Sequence, residues 1–205
     1  MKLLLLTAMA GHILCGITDC LFTYGPKGKV NLTTLNDYEQ AYKSFEGMSL
    51  KNIMHGMLLG VLALTMSVFG YIGLADWMSV FSTICATIMY IAAIVYFLPI
   101  VSHHVFCGTV EWFFVRMGRS KEALEAVAEF FKKTALTMYV GYLGLLVFAV
   151  TFFVAVVTGQ TDLPRWACVF NTLPLFIILL PTKLPAKGNI AGAVMFLGLL
   201  FCGIG

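Results

Sequence analysis

Long apolar runs separated by short polar breaks dominate the chain. Six of them approach the ~20 residues that a helix needs to cross a ~30 Å hydrocarbon layer: Leu3–Tyr24, Ile53–Leu74, Trp77–Leu98, Thr134–Val157, Leu163–Leu180 and Asn189–Ile204. Lipid offers no partner to backbone N–H and C=O groups, so each run is expected to be helical. The first run carries His12 and Asp19 with no cleavage-like stop, and reads as a membrane helix rather than a signal peptide. Beyond Pro99 the residues 100–117 are again apolar. They either continue the third span past a proline kink, lying in the interface or lining a cavity, or form a seventh span.

Segment 121–133 has a different period. Leu124, Val127, Ala128 and Phe131 fall at i, i+3, i+4 and i+7, with Glu122, Glu125, Glu129 and Lys132 on the other face. Ser120 suits the N-cap position. No breaker follows, so one helix is expected from about Ser120 to Val157, roughly 55 Å long at 1.5 Å per residue, its first turns protruding from the membrane. Its apolar stripe is a solvated extension's inner face or a docking surface.

Charge sets the orientation. With six spans, one side holds Lys27, Lys29, Lys43, Lys51, Arg116, Arg119, Lys121, Lys132, Lys133, Lys183 and Lys187, which is 11 of the 13 basic residues. The other side holds Lys2 and Arg165. A seventh span would reduce the split to eight against five, so six spans fit the positive-inside rule better. The expected architecture is an all-α polytopic bundle, residues 1–205 forming one integral membrane domain. Both termini lie outside, three basic loops lie inside, and the long fourth helix reaches into the cytoplasm. A bacterial inner membrane is the expected location.

Composition agrees: 60% of residues are hydrophobic and 11% charged, against about 25% charged in soluble domains. This excludes a soluble enzyme or a nucleic-acid-binding module. The six cysteines lie within apolar runs, lack any C-x-x-C spacing, and read as free buried thiols. Gly56-x-x-x-Gly60, Gly188-x-x-x-Gly192 and the pair Gly141 and Gly144 suit close helix packing, and a homo-oligomer through one of them is an open expectation. Trp77, Trp112 and Trp166 sit near span ends. Asn31-Leu-Thr is formally a glycosylation sequon, in a loop expected to be cytoplasmic. That loop, Gly25–Lys51, is a connector or a lid.

Ionisable residues within spans are costly and usually mark function. All four histidines, His12, His55, His103 and His104, lie in or beside apolar runs, as do Asp19 and Glu111. Two stretches share the form His-x-x-Cys-Gly-x-x-acid: His12 to Asp19, with Cys15 and Gly16, and His104 to Glu111, with Cys107 and Gly108. That spacing sets the four residues in one line on a helix face. Duplication and chance both account for it. The topology draws these groups, with Asn171 and Asn189, toward the cytoplasmic half, where one cavity is expected. Its candidate catalytic groups are His12, Asp19, His55, His104 and Glu111. The candidate metal ligands are His55, His103 and His104, for a divalent metal such as zinc, while Cys107, Asn171 and Asn189 add polar lining. The expected activity is that of an intramembrane enzyme on a lipid-like or amphipathic substrate. A proton-coupled carrier of a small solute or cation, or an accessory subunit, is the alternative. The Gly16-Ile-Thr-Asp19 end of the first span and the Gly188-Asn189 opening of the last resemble small multi-pass bacterial membrane proteins of unassigned function, a likeness that implies no activity.

Overall fold

The computed structural model describes residues 1–30, 32 and 35–204, so Asn31 and Thr33 of the Asn31-Leu-Thr sequon lie outside the described residues. The elements, in order, are α1 (Lys2–Thr23), a hairpin of β1 (Tyr24–Gly25) and β2 (Gly28–Lys29), α2 (Tyr38–Ser44), α3 (Leu50–Ser79) and α4 (Thr83–Arg116). Then come α5 (Lys121–Thr134), α6 (Leu136–Val157), a 3-10 turn (Arg165–Val169), α7 (Thr172–Leu179) and α8 (Lys187–Phe201).

Four helices are long and apolar enough to cross a membrane: α1, α3, α4 and the continuous run of α5 and α6. The other two expected spans are shorter. The fifth is broken: Pro164 opens a 3-10 turn, Asn171 is extended (φ −137°, ψ 143°), and only eight residues of α7 follow. Asn171 Oδ1 accepts from Leu173 N at 2.9 Å, which starts α7 and ends any continuous helix there. The turn between the second and third spans falls at Val80–Ser82, five residues later than the apolar runs suggest. Ser82 Oγ accepts from Cys85 N and fixes that start.

Helix α4 runs through Pro99 without a break. Residues 100–116 therefore continue the third helix, and no reversal separates a seventh span. At 34 residues α4 is about 51 Å long. It outruns an apolar layer, as α3 does with 30 residues. A second, smaller core gathers around the overhanging ends. Phe22, Val30, Leu35, Phe45, Ile53 and Phe114 pack there with Ala123, Leu124 and Val127 of α5. This cap absorbs the apolar stripe of α5, whose Glu122, Glu125, Glu129 and Lys132 face outward. Ser120 Oγ accepts from Ala123 N, the expected N-cap. The described residues of the loop after α1 are thus a folded part of the cap.

The long helices pack in series, α1 on α3, α3 on α4 and α4 on α6. Helices α7 and α8 form a hairpin that enters from the end opposite the cap and closes the ring, α7 beside α6 and α8 beside α1. Helix α1 begins and α8 ends at that far end: Gly70, on α3, meets both Ala8 and Phe196. The far half is solid. Leu74, Ala75, Met78 and Phe152 are fully buried there, and Tyr71 packs edge-on to Phe97, Phe148 and Phe196. Outward faces remain apolar, with Leu58, Leu62, Ile84, Ile91, Leu98, Leu143 and Val150 exposed, the surface a lipid environment covers.

Candidate functional site

A cavity of about 530 Å³ occupies the ring between the solid half and the cap. Its floor is Leu64, Tyr71 and Tyr96, and its walls come from α1, α4, α6, α7 and α8. Lys29, Val30 and Leu32 of the cap and Leu184–Asn189 of the hairpin tip complete the lining near the mouth. The Asp19 side chain keeps 30% of its surface exposed although it belongs to the bundle, so the cavity gives it access to solvent.

Geometry joins the polar groups into one chain. His12 Nδ1 lies 3.0 Å from Asn189 Oδ1, and Asn189 Nδ2 donates to Asp19 Oδ2 at 2.8 Å. This amide orientation satisfies both neighbours: the amide oxygen must accept from His12, so Nδ1 of that ring carries the proton. Asp19 Oδ1 faces His104 Nδ1 at 3.7 Å. His104 Nε2 lies 3.2 Å from the Gly56 carbonyl. A carbonyl only accepts, so Nε2 carries the proton, and Nδ1 of the neutral ring turns a lone pair toward the carboxylate. Cys15 Sγ stands with these two groups, and the three ligand atoms lie within 4.8 Å of one another.

Glycines make this approach possible. A Cβ on Gly60 would overlap the His104 ring, and one on Gly192 would stand 2.5 Å from the His12 ring. The small-residue patterns thus seat histidines as well as pack helices. Gly56 accommodates Phe22 in the same way, while nothing stands within 4 Å of a Cβ at Gly188.

The expected site residues are distributed as follows. His12, Asp19, His104 and Asn189 are brought together. His103 and Cys107 line the cavity but pair with each other at 3.5 Å, and His103 Nδ1 is 3.3 Å from Thr137 Oγ1. Glu111 lines the cavity and is 1% exposed, with its Oε2 lacking a hydrogen-bond partner. His55 is exposed on α3 and outside the cavity lining, so it does not join His103 and His104 as a ligand. The buried stripe of α3 runs through Ile53, Gly56, Gly60 and Leu64 and passes it by. Asn171 is fully buried but does not line the cavity; its Nδ2 donates to the Ala149 carbonyl at 2.9 Å, so it holds the broken helix in place. Cys15, which the shared pattern sets on the same face of α1 as Asp19, joins the site although it is not among the expected catalytic groups or metal ligands.

A family model described as "Family of unknown function (DUF6796)" matches residues 1–205. The chain belongs to this family. Neither the curated proteins nor the solved structures hold a match. The DUF6796 match covers the whole site, from His12 on α1 to Asn189 on α8.

Proposed function

We propose that this DUF6796 chain is an intramembrane enzyme acting on a lipid-like or amphipathic substrate, with Cys15, Asp19 and His104 as its reaction centre. The observation that carries the reading is a polar cavity closed on one side. Solvent reaches Asp19 from the cap, whereas Tyr71 and the packed rings beneath it fill the opposite half. A site of that shape admits a head group from one face and offers apolar walls to a tail. In the accompanying topology the chain crosses an inner membrane six times, the fifth crossing made by the 3-10 turn and α7 together and the sixth by α8, with the cap and hairpin tip cytoplasmic and both termini outside. Eleven basic residues belong to the elements at the cap end and the hairpin tip, which supports this orientation.

The carrier reading keeps one observation, the relay-like series His12, Asn189, Asp19, His104. That series stops at His12 Nε2, which is buried without a partner between Tyr71 and Phe196. A dead end of this kind favours a closed site over a pathway.

The test compares membranes from cells lacking the protein, cells producing it, and cells producing Asp19→Asn at matched levels, with lipid classes read by mass spectrometry. A change in one lipid class that requires Asp19 is expected. Unchanged lipids, together with an Asp19-dependent proton flux in reconstituted vesicles, would replace the enzyme by a carrier.

A further inference from the structure

We propose that Cys15 Sγ, Asp19 Oδ1 and His104 Nδ1 bind one zinc-class divalent cation, as the cofactor of the centre just described. The proposal deepens that reading but stands on its own geometry. Three electron-pair donors from two helices converge here. The His104 proton lies on the far nitrogen, held by the Gly56 carbonyl at 3.2 Å, and Asp19 Oδ2 is already engaged by Asn189 at 2.8 Å. Two lone-pair groups therefore face each other at 3.7 Å. This is beyond an N–H···O hydrogen bond, which ends near 3.2 Å. It is close to the separation that one ion imposes: ligands at about 2.0–2.3 Å in a tetrahedral zinc site stand about 3.3–3.6 Å apart. Cys15 completes the set within 4.8 Å, so a small inward movement of the side chains closes the coordination.

The surroundings match those of bound metal. A ligating histidine usually donates its other N–H to a carbonyl or carboxylate, which fixes its tautomer, and a ligating carboxylate is itself hydrogen-bonded. Gly56 and Asn189 supply these contacts. Charge also balances. On binding, the Cys15 thiol releases its proton to solvent through the cavity, and a thiolate, a carboxylate and a neutral imidazole then offset the dication. A neutral cluster avoids the large cost of an isolated charge in an apolar bundle. Three protein ligands leave a fourth position, which faces the cavity, the arrangement of catalytic rather than structural zinc.

The experiment is metal analysis of the purified full chain in detergent under reducing conditions, as isolated and after equilibration with Zn²⁺ or Co²⁺ and removal of excess. Near one equivalent per chain is expected, together with a thiolate-to-cobalt charge-transfer band. Cys15→Ser should abolish that band and, like Asp19→Asn, reduce retained metal at least tenfold, whereas His55→Ala should retain it. Circular dichroism checks that the variants remain folded. Should Cys15→Ser fail to fold, zinc protection of the Cys15 thiol from alkylation in the wild type gives the same answer. Absence of metal from the wild type under all three conditions would overturn the proposal, as would a full equivalent retained by both Cys15→Ser and Asp19→Asn. The two readings fail separately. Metal without any Asp19-dependent lipid change leaves the metal site and removes the enzyme, while an Asp19-dependent lipid change from a chain that holds no metal under any of the three conditions does the reverse.

Discussion

Replacing Gly60 by alanine tests whether the helix contact at His104 is built around the imidazole. A Cβ at Gly60 would lie 1.8 Å from Nε2 and 2.5 Å from Cδ2 and Cε1 of His104. Heavy-atom contacts settle near 3.5–4.0 Å, so the ring must retreat by at least ~1.5 Å. Its 3.2 Å contact with the Gly56 carbonyl then lengthens beyond hydrogen-bonding range. Overpacking of this kind costs about 1–3 kcal/mol, and the lost hydrogen bond adds about 1 kcal/mol. Alanine's better helix propensity returns up to ~1 kcal/mol. The net expectation is a loss of about 1–4 kcal/mol for Gly60→Ala. A double-mutant cycle isolates the cause: in a His104→Ala background the same change should cost less than about 0.5 kcal/mol, because the ring that it strikes is gone. Reversible denaturant unfolding in mixed micelles, followed by circular dichroism, provides the values. Equal costs in both backgrounds would refute the reasoning and assign Gly60 to helix packing alone.

Three other outcomes follow from the same geometry. Asn189→Leu removes the bridge between His12 and Asp19, leaving the buried His12 ring without its partner while Asp19 keeps solvent and His104, and should destabilise the chain by about 1–3 kcal/mol in the same unfolding assay. Gly188→Ala meets nothing within 4 Å and His55→Ala removes an exposed ring, so each should shift stability by less than about 0.5 kcal/mol; a larger loss in His55→Ala would return that residue to the site. Single cysteines at Lys27 and Gly203, in a chain lacking its native cysteines, should label with an impermeant maleimide from opposite faces of sealed vesicles. Labelling from one face would refute the six-crossing topology.

The helical character and the amphipathic segment at α5 were legible because both are periodic signals. The stripe of Leu124, Val127, Ala128 and Phe131 packs as its spacing implies. The broken helix around Asn171 was not legible from hydropathy, since its residues are as apolar as those of a true span; a capping asparagine between Pro164 and Pro174 was the local sign. At the site, the shared His-x-x-Cys-Gly-x-x-acid pattern marked the relevant faces of α1 and α4, but not which of its members would meet. That depends on the vertical register between the two helices. It pairs Asp19 of the first stretch with His104 of the second and leaves Glu111 nearer the cap. Position beside an apolar run does not say which way His55 faces: one residue's offset on a helix turns a side chain by about 100°, and His55 lies on the exposed side of α3, away from the cavity.

The hydrogen bond from Asn189 to Asp19 joins residues 170 positions apart. At about 5–20 residues per second of synthesis, the asparagine emerges roughly 9–34 seconds after the aspartate. Throughout that interval α1 holds a carboxylate and an imidazole whose native partner is still being translated. Chains interrupted before α8 thus leave a carboxylate and an imidazole on α1 without the amide that the finished chain sets between them.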